Sequence, residues 1–148
     1  MVNITVLVEE LNGQCNGELS VSEDGQGIKA TKSTILQALR ILKEKQDFKM
    51  LIDITAVDCQ GGYEVVYHVM KLESAEMLRL KVSLPADKPS IGTATGIWKA
   101  ADVMEREAFD LMGIVFEGHK NLKRILCEDD FEGHPLRKDF KLDIVDRF

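Results

Sequence analysis

The chain has 148 residues, 45% hydrophobic and 30% charged, with 25 acidic residues against 19 basic ones and a formal net charge of -6; this suits one globular domain with its own core and excludes extended disorder. No run approaches the ~18 consecutive apolar residues of a membrane-spanning helix, and the opening MVNITVLVEE lacks the basic-then-apolar layout of a signal peptide. The acidic balance argues against nucleic acid as a partner, and the expected location is the cytosol.

Val2 to Val8 alternate, with Val2, Ile4, Val6 and Val8 on one face and Asn3, Thr5 and Leu7 on the other, which predicts a first, half-buried strand. Residues 12 to 30 hold four glycines among Asn, Ser, Asp and Gln, a loop-rich composition around a short strand at Glu18 to Ser22. From about Lys32 to Lys45, Ile35, Ala38, Leu39 and Leu42 fall at i, i+3, i+4 and i+7, and Thr34 with Gln37 offers a capping box, so a helix is expected there.

Three strand-like runs follow, Met50 to Val57, Tyr63 to Leu72 and Met77 to Leu84. The connections Gln60-Gly61-Gly62 and Glu73-Ser74-Ala75-Glu76 are short enough to make them an antiparallel meander. Pro85 and Pro89 end the sheet, and a second principal helix reads from roughly Ile97 to Met112, closed by Gly113. The expected fold class is α+β, with a mainly antiparallel sheet, two principal helices and an irregular C-terminal tail.

Within the second helix, Asp102, Arg106 and Asp110 stand on the polar side at the i, i+4 spacing of ion pairs. Glu105 instead projects into the apolar arc, where an unpaired carboxylate costs several kcal/mol. Its candidate partners are Arg124, Arg137 and Lys138 downstream.

After Gly113 the chain has little sustained period, and the tetrapeptide Phe-Glu-Gly-His occurs twice, at 116–119 and 131–134. Phe116, Leu122, Ile125, Leu126, Phe131, Leu136 and Phe140 are spaced as single anchors. Such a segment is ordered by what it packs against, first this domain and then a partner. The expected organisation is a core domain over 1–113 and a partner-docking tail of the same domain over 114–148.

His119, Cys127 and His134 supply metal-ligand chemistry, but their gaps match no standard metal spacing. Cys15, Cys59 and Cys127 are odd in number, far apart and in no C-x-x-C pair, so reduced thiols are expected rather than disulfides or an iron–sulfur site. There is no G-x-S-x-G and no glycine-rich phosphate loop, and Glu105 and Glu107 point to different helix faces, which spoils them as an acid–base pair. No catalytic residue, metal ligand or cofactor-binding residue is expected on this chain.

The stretch from Glu105-Arg106-Glu107 through Phe109-Asp110 and Gly113 to Phe116-Glu117-Gly118-His119, then Leu122-x-Arg124-Ile125-Leu126, then Gly133-His134-Pro135-Leu136-Arg137-Lys138-Asp139-Phe140, resembles one family signature. It is that of the thirty-kilodalton-type subunit of proton-pumping NADH:quinone oxidoreductase, respiratory complex I. Asp53-Ile-Thr-x-Val-Asp58 and Tyr67-His68 agree with it more loosely. Lys120, Lys141 and Val103 depart from the usual Pro, Pro and Trp.

The resemblance implies a non-redox subunit of the peripheral arm, on the cytoplasmic side of the cell membrane and in contact with it only through the complex. It would scaffold the large quinone-site subunit and neighbouring peripheral-arm subunits, while NADH, flavin, iron–sulfur clusters and quinone belong to other subunits. Related subunits occur in membrane-bound energy-converting hydrogenases and ferredoxin-dependent complex I relatives, so that alternative stays open. It further implies partner-binding roles for Glu105, Arg106, Glu107, Asp110, His119, Arg124, His134, Arg137, Lys138 and Asp139, the first four through ionic contacts tying the helix to the tail or partner and the two histidines through the turns that shape it. A free-standing metal-dependent enzyme and an unrelated binding module are the competing readings.

Overall fold

The alternation of apolar and polar residues between Met50 and Pro85 builds the centre of the molecule. In this computed structural model, which describes residues 2–15 and 17–141, β3 (Met50–Cys59), β4 (Gly62–Met70) and β5 (Met77–Pro85) form the expected antiparallel meander. Preceding them are α1 (Ile4–Gln14), β1 (Ser20–Val21), β2 (Gly27–Ala30) and α2 (Ile35–Lys45). After them come β6 (Ser90–Gly92), α3 (Ala101–Met112) and β7 (Val115–Glu117).

The main sheet has the order β1-β2-β5-β4-β3, and β2 lies parallel to β5. The sheet is therefore mixed, within an α+β fold that has three helices where two were expected. Helix α2 carries the chain from β2 to the far edge at β3, which is what makes a parallel pair possible.

Register explains the two faces. Ile28, Leu80, Tyr67 and Ile54 are paired in one row across four strands, and all are buried. Asp53, His68 and Arg79 form a row of the opposite face. There His68 Nδ1 lies 2.7 Å from Asp53, Arg79 pairs with Asp24 at 2.6 Å and Lys81 with Glu64 at 3.7 Å, so this face pairs these charges within itself. Onto the apolar face α2 presents Ile35, Ala38, Leu39 and Leu42, all fully buried as their spacing predicts.

Two local expectations fail for identifiable reasons. Val2 to Val8 is not a strand: Leu7, Val8, Leu11 and Cys15 make a helical stripe that buries, Val6 is exposed, and the Asn3 side chain caps the helix by accepting from the Val6 N–H at 3.3 Å. The capping box does not form either. The Thr34 hydroxyl accepts the Thr31 N–H, and Gln37 reaches across to the Gln14 carbonyl at the end of α1.

Candidate functional site

Helix α3 begins later than its apolar pattern predicts, because Ile97 to Ala100 are turns, with the Trp98 indole donating to the Lys49 carbonyl at 2.9 Å. It ends at Gly113, whose left-handed φ of 75° turns its N–H back to the Phe109 carbonyl at 2.8 Å. The packed body continues past that point: Ile114 and Phe116 are buried, and β7 pairs in parallel with β6. From Gly118 to residue 141 the chain has no helix or strand and crosses α3 as a strap.

Near the start of α3 the strap inserts His119, whose side chain is 1% exposed. Its Nδ1 accepts the Asn121 N–H at 3.0 Å, so the ring proton sits on Nε2 and is donated to the Asp102 carbonyl at 3.1 Å. Glu105 is fully buried beside it, with Oε2 4.0 Å from that nitrogen.

The expected Arg124, Arg137 and Lys138 are not the partners of Glu105. The Ala94 N–H and the Thr93 hydroxyl both donate to its carboxyl, each at 2.6 Å. Burial pushes this carboxyl up, and those two hydrogen bonds oppose the shift only in part. Its donors lie 11 and 12 residues upstream, in a loop without periodicity that no spacing rule singles out.

Asp110 also departs from expectation, being fully buried rather than on the exposed side. Its Oδ2 accepts three successive strap N–H groups, Ile125 at 3.1 Å, Leu126 at 2.7 Å and Cys127 at 2.8 Å, while Arg124 pairs with Oδ1 at 2.8 Å. Burial alone would raise this carboxyl, but the Cys127 N–H, the Arg124 guanidinium and the Leu126 and Ile125 N–H groups together hold it well below the usual carboxylate range. Arg106 does not join an i, i+4 ladder; it donates to the Lys123 and Arg124 carbonyls, both at 3.2 Å.

The strap also closes the C-terminal end of α3. The last four carbonyls of a helix have no partner within it, and here each has one. Phe109 accepts from Gly113, Asp110 from the His134 ring at 2.9 Å, Leu111 from the Leu136 N–H at 3.0 Å, and Met112 from Arg137 at 2.7 Å. The cations Arg124 and Arg137 sit where the helix dipole favours positive charge. Arg137 lies 5.0 Å over the Tyr63 ring, Arg124 also donates to the Gly133 carbonyl, and the Lys138 N–H donates to Asp58 at 2.8 Å.

Of the ten residues singled out in the sequence, the structure gathers Glu105 with His119, and Asp110 with Arg124 and His134. Arg106 and Arg137 bind strap and helix carbonyls, while Glu107, Lys138 and Asp139 are exposed. The final residues of the tail, 142–148, lie outside the described residues. Among the described residues no group of three His, Cys, Asp or Glu side chains is arranged to hold a metal ion. His119 and His134 are engaged by backbone carbonyls, and the Cys127 N–H is bound to Asp110.

While His119, Arg124, His134 and Arg137 are engaged inward, the strap leaves apolar side chains outward. Leu126 is 65% and Leu136 59% exposed, and Ile125 and Phe131 are exposed as well, Phe131 stacking on Phe140 at 5.9 Å.

The family described as "Respiratory-chain NADH dehydrogenase, 30 Kd subunit" matches residues 28–144. The chain belongs to that family. This 30 kDa family member is 51% identical over 110 residues to the C-type subunit of NADH-quinone oxidoreductase from Moorella thermoacetica, covering 73% of this chain and 74% of that one. Against the corresponding protein of Trichlorobacter lovleyi it is 36% identical over 149 residues, covering 96% and 92%. Among solved structures, the 30 kDa family member is similar to a trypsin-resistant fragment of Nqo5, with a TM-score of 0.67 at 25% identity over 82% of this chain and 100% of the fragment. It is also similar to a chain of the archaeal membrane-bound sulfane sulfur reductase, a respiratory membrane complex, with a TM-score of 0.79 at 28% identity over 97% of this chain and 94% of that one.

The two buried carboxylates make opposite contributions to acid stability. Asp110 has a folded pKa below its unfolded value of about 3.9, so its contribution is present above that pH and is lost as pH falls through the depressed value. Glu105 has a folded pKa above its unfolded value, so the folded state binds the proton more readily and stability falls as pH rises through the raised value. Urea midpoints between about pH 3 and 7 are expected to show the advantage of the native chain over Asp110→Asn shrinking towards acid. For Glu105→Gln the native chain is expected to gain towards acid, and equal pH slopes for the two variants would refute the assignment.

Proposed function

We propose that this chain is a non-redox peripheral-arm subunit of proton-translocating NADH:quinone oxidoreductase, complex I, and that it scaffolds the large quinone-site subunit while electrons pass from NADH to quinone through cofactors on other subunits. The family match and the NADH-quinone oxidoreductase relatives support this reading. The observation that carries it in the structure is the strap, whose backbone is tied to α3 while Leu126 and Leu136 face solvent.

Physically, such a subunit acts by position. An obligate interface buries thousands of Å2 and removes conformational freedom from the neighbours it touches. In this reading Glu105, Asp110, His119, Arg124, His134 and Arg137 give the docking surface its shape, with Arg106 fastening the strap, and Glu107, Lys138 and Asp139 are free to contact the partner. The stretch from 114 onward serves as the docking tail. The chain sits on the cytoplasmic face of the cell membrane as part of the complex, and no helix of the described residues is long and apolar enough to cross a membrane.

The likeness to a chain of the membrane-bound sulfane sulfur reductase complex favours a second reading, the equivalent subunit of a complex I relative with another electron donor or acceptor. Both readings place the strap on a large neighbouring subunit.

The test is co-purification from solubilised membranes of the native host. Truncation after Asn121 keeps β7 and His119 but removes the rest of the strap, and is expected to abolish recovery of the large subunit while the meander stays folded by circular dichroism. Undiminished recovery with the truncated chain, or a full-length chain that is monomeric and partnerless, would refute the proposal. Reduction of quinone by NADH in the recovered complex separates the first reading from the second.

A further inference from the structure

The basic residues of the strap that suggest docking in the sequence, Arg124 and Arg137, are engaged within the chain: Arg124 holds Asp110 and the Gly133 carbonyl, and Arg137 holds the Met112 carbonyl over Tyr63. What remains facing outward has the opposite sign. Between Ile125 and Leu136 the sequence carries four acidic residues, Glu128, Asp129, Asp130 and Glu132, and no Lys or Arg. All four are exposed, and among the described residues none of their side chains has a hydrogen bond or ion pair.

These carboxylates lie in the chain among the exposed apolar residues Ile125, Leu126, Phe131 and Leu136. The Leu126 N–H is tied to Asp110 and the Leu136 N–H to Leu111, so the two leucines stand off the same turn of α3, and Phe131 lies between them in the chain. Exposed Glu107 shares with Leu136 a cleft beside β3. The result is a ridge of chain, anchored to α3 near both ends, that exposes apolar and carboxylate side chains together.

We propose that this ridge, Ile125 to Leu136, is received by an apolar groove of the neighbouring subunit rimmed with lysine or arginine side chains. The inference rests on the reading of the chain as part of a larger complex and adds the chemistry of the partner surface. Burying the ridge against a neutral or acidic surface would desolvate or oppose four carboxylates, whereas cations at the groove's rim match them and fix the register. An anionic lipid surface repels the same carboxylates. A second copy of this chain, with its net charge of -6, is also disfavoured.

The experiment replaces the native subunit in its host by the full chain carrying Glu128→Lys, Asp129→Lys and Asp130→Lys. Recovery of the large subunit is expected to fall by about tenfold, since like charges at an interface are strongly unfavourable. Reversal of the exposed Lys49 and Lys88, which lie outside the docking tail, to Glu is expected to leave it within about twofold, as surface charges away from the contact matter little. The neutral variant with Gln and Asn at the three acidic positions is expected to lie between, and it keeps the test meaningful if the lysine variant folds poorly.

Wild-type recovery with both acidic-site variants would overturn the proposal. If truncation after Asn121 still abolished recovery in that case, the subunit reading would stand and only the groove chemistry would fall. If truncation also had no effect, both would fall. Dimerisation of the isolated full chain, reversed by the lysine variant, would place a second copy on the ridge and would likewise overturn the proposal.

Discussion

Replacing Asp110 with alanine is expected to lower the stability of the chain by about 2–4 kcal/mol and to free the strap from α3. Removing one partner of a buried ion pair costs about 3–5 kcal/mol when the other charge stays enclosed. Here Arg124 and the strap amides can turn partly towards water, which relieves some of that penalty. Three backbone N–H groups lose their acceptor together, so the effect is concentrated at Ile125, Leu126 and Cys127. Urea unfolding measures the stability, and hydrogen exchange at those three amides measures the release. A loss below about 1 kcal/mol, the worth of one ordinary hydrogen bond, with unchanged protection of the three amides would show that the carboxylate does not organise the strap.

Gly113→Ala is expected to be the second most damaging single change, at about 3 kcal/mol. A side chain in the left-handed region costs roughly 1–2 kcal/mol, and the position has a φ of 75°. The added Cβ would also collide with the Arg137 guanidinium and the His134 ring, which cap the Met112 and Asp110 carbonyls. Steric and capping losses are therefore coupled, and a double-mutant cycle separates them. In an Arg137→Ala background, Gly113→Ala is expected to cost only slightly more than the backbone term. Strict additivity of the two changes would remove the steric part of the argument.

How much of this could be read in advance differs by element. The meander and α2 are legible because their burial is largely one-sided: near-alternation within the strands, clearest in β5, and a stripe of period 3.6 at Ile35, Ala38, Leu39 and Leu42. Helix α1 is misread because Val2, Ile4, Val6 and Val8 satisfy period two by coincidence, and the deciding residues, Leu11 and Cys15, lie beyond the window. The parallel pairing of β2 with β5 follows from where α2 delivers the chain, which no local pattern encodes.

At the site, the burial of Glu105 is legible from its place in the apolar arc, whereas its donors are not. A search for a cation overlooks Thr93 and Ala94, because a hydroxyl and a backbone N–H leave no charge signature. Asp110 is illegible for a related reason: on a helical projection it faces outward, and only the returning strap covers it. The lack of period after Gly113 is legible in the sequence, whereas the burial of Ile114 and Phe116 and the exposure of Leu126 and Leu136 are not.

The closure of α3 by the strap has a consequence for biosynthesis. Residues 124–137 leave the ribosome after the helix whose end they complete, so during translation the final turn of α3 has its carbonyls open to water and frays. The strand pairing of the meander and the buried stripe of α2 do not depend on that region, which later adds the Arg137 contact on Tyr63, and can mature first. The final turn of α3 is thus completed by residues synthesised after it, later than the strands it packs on.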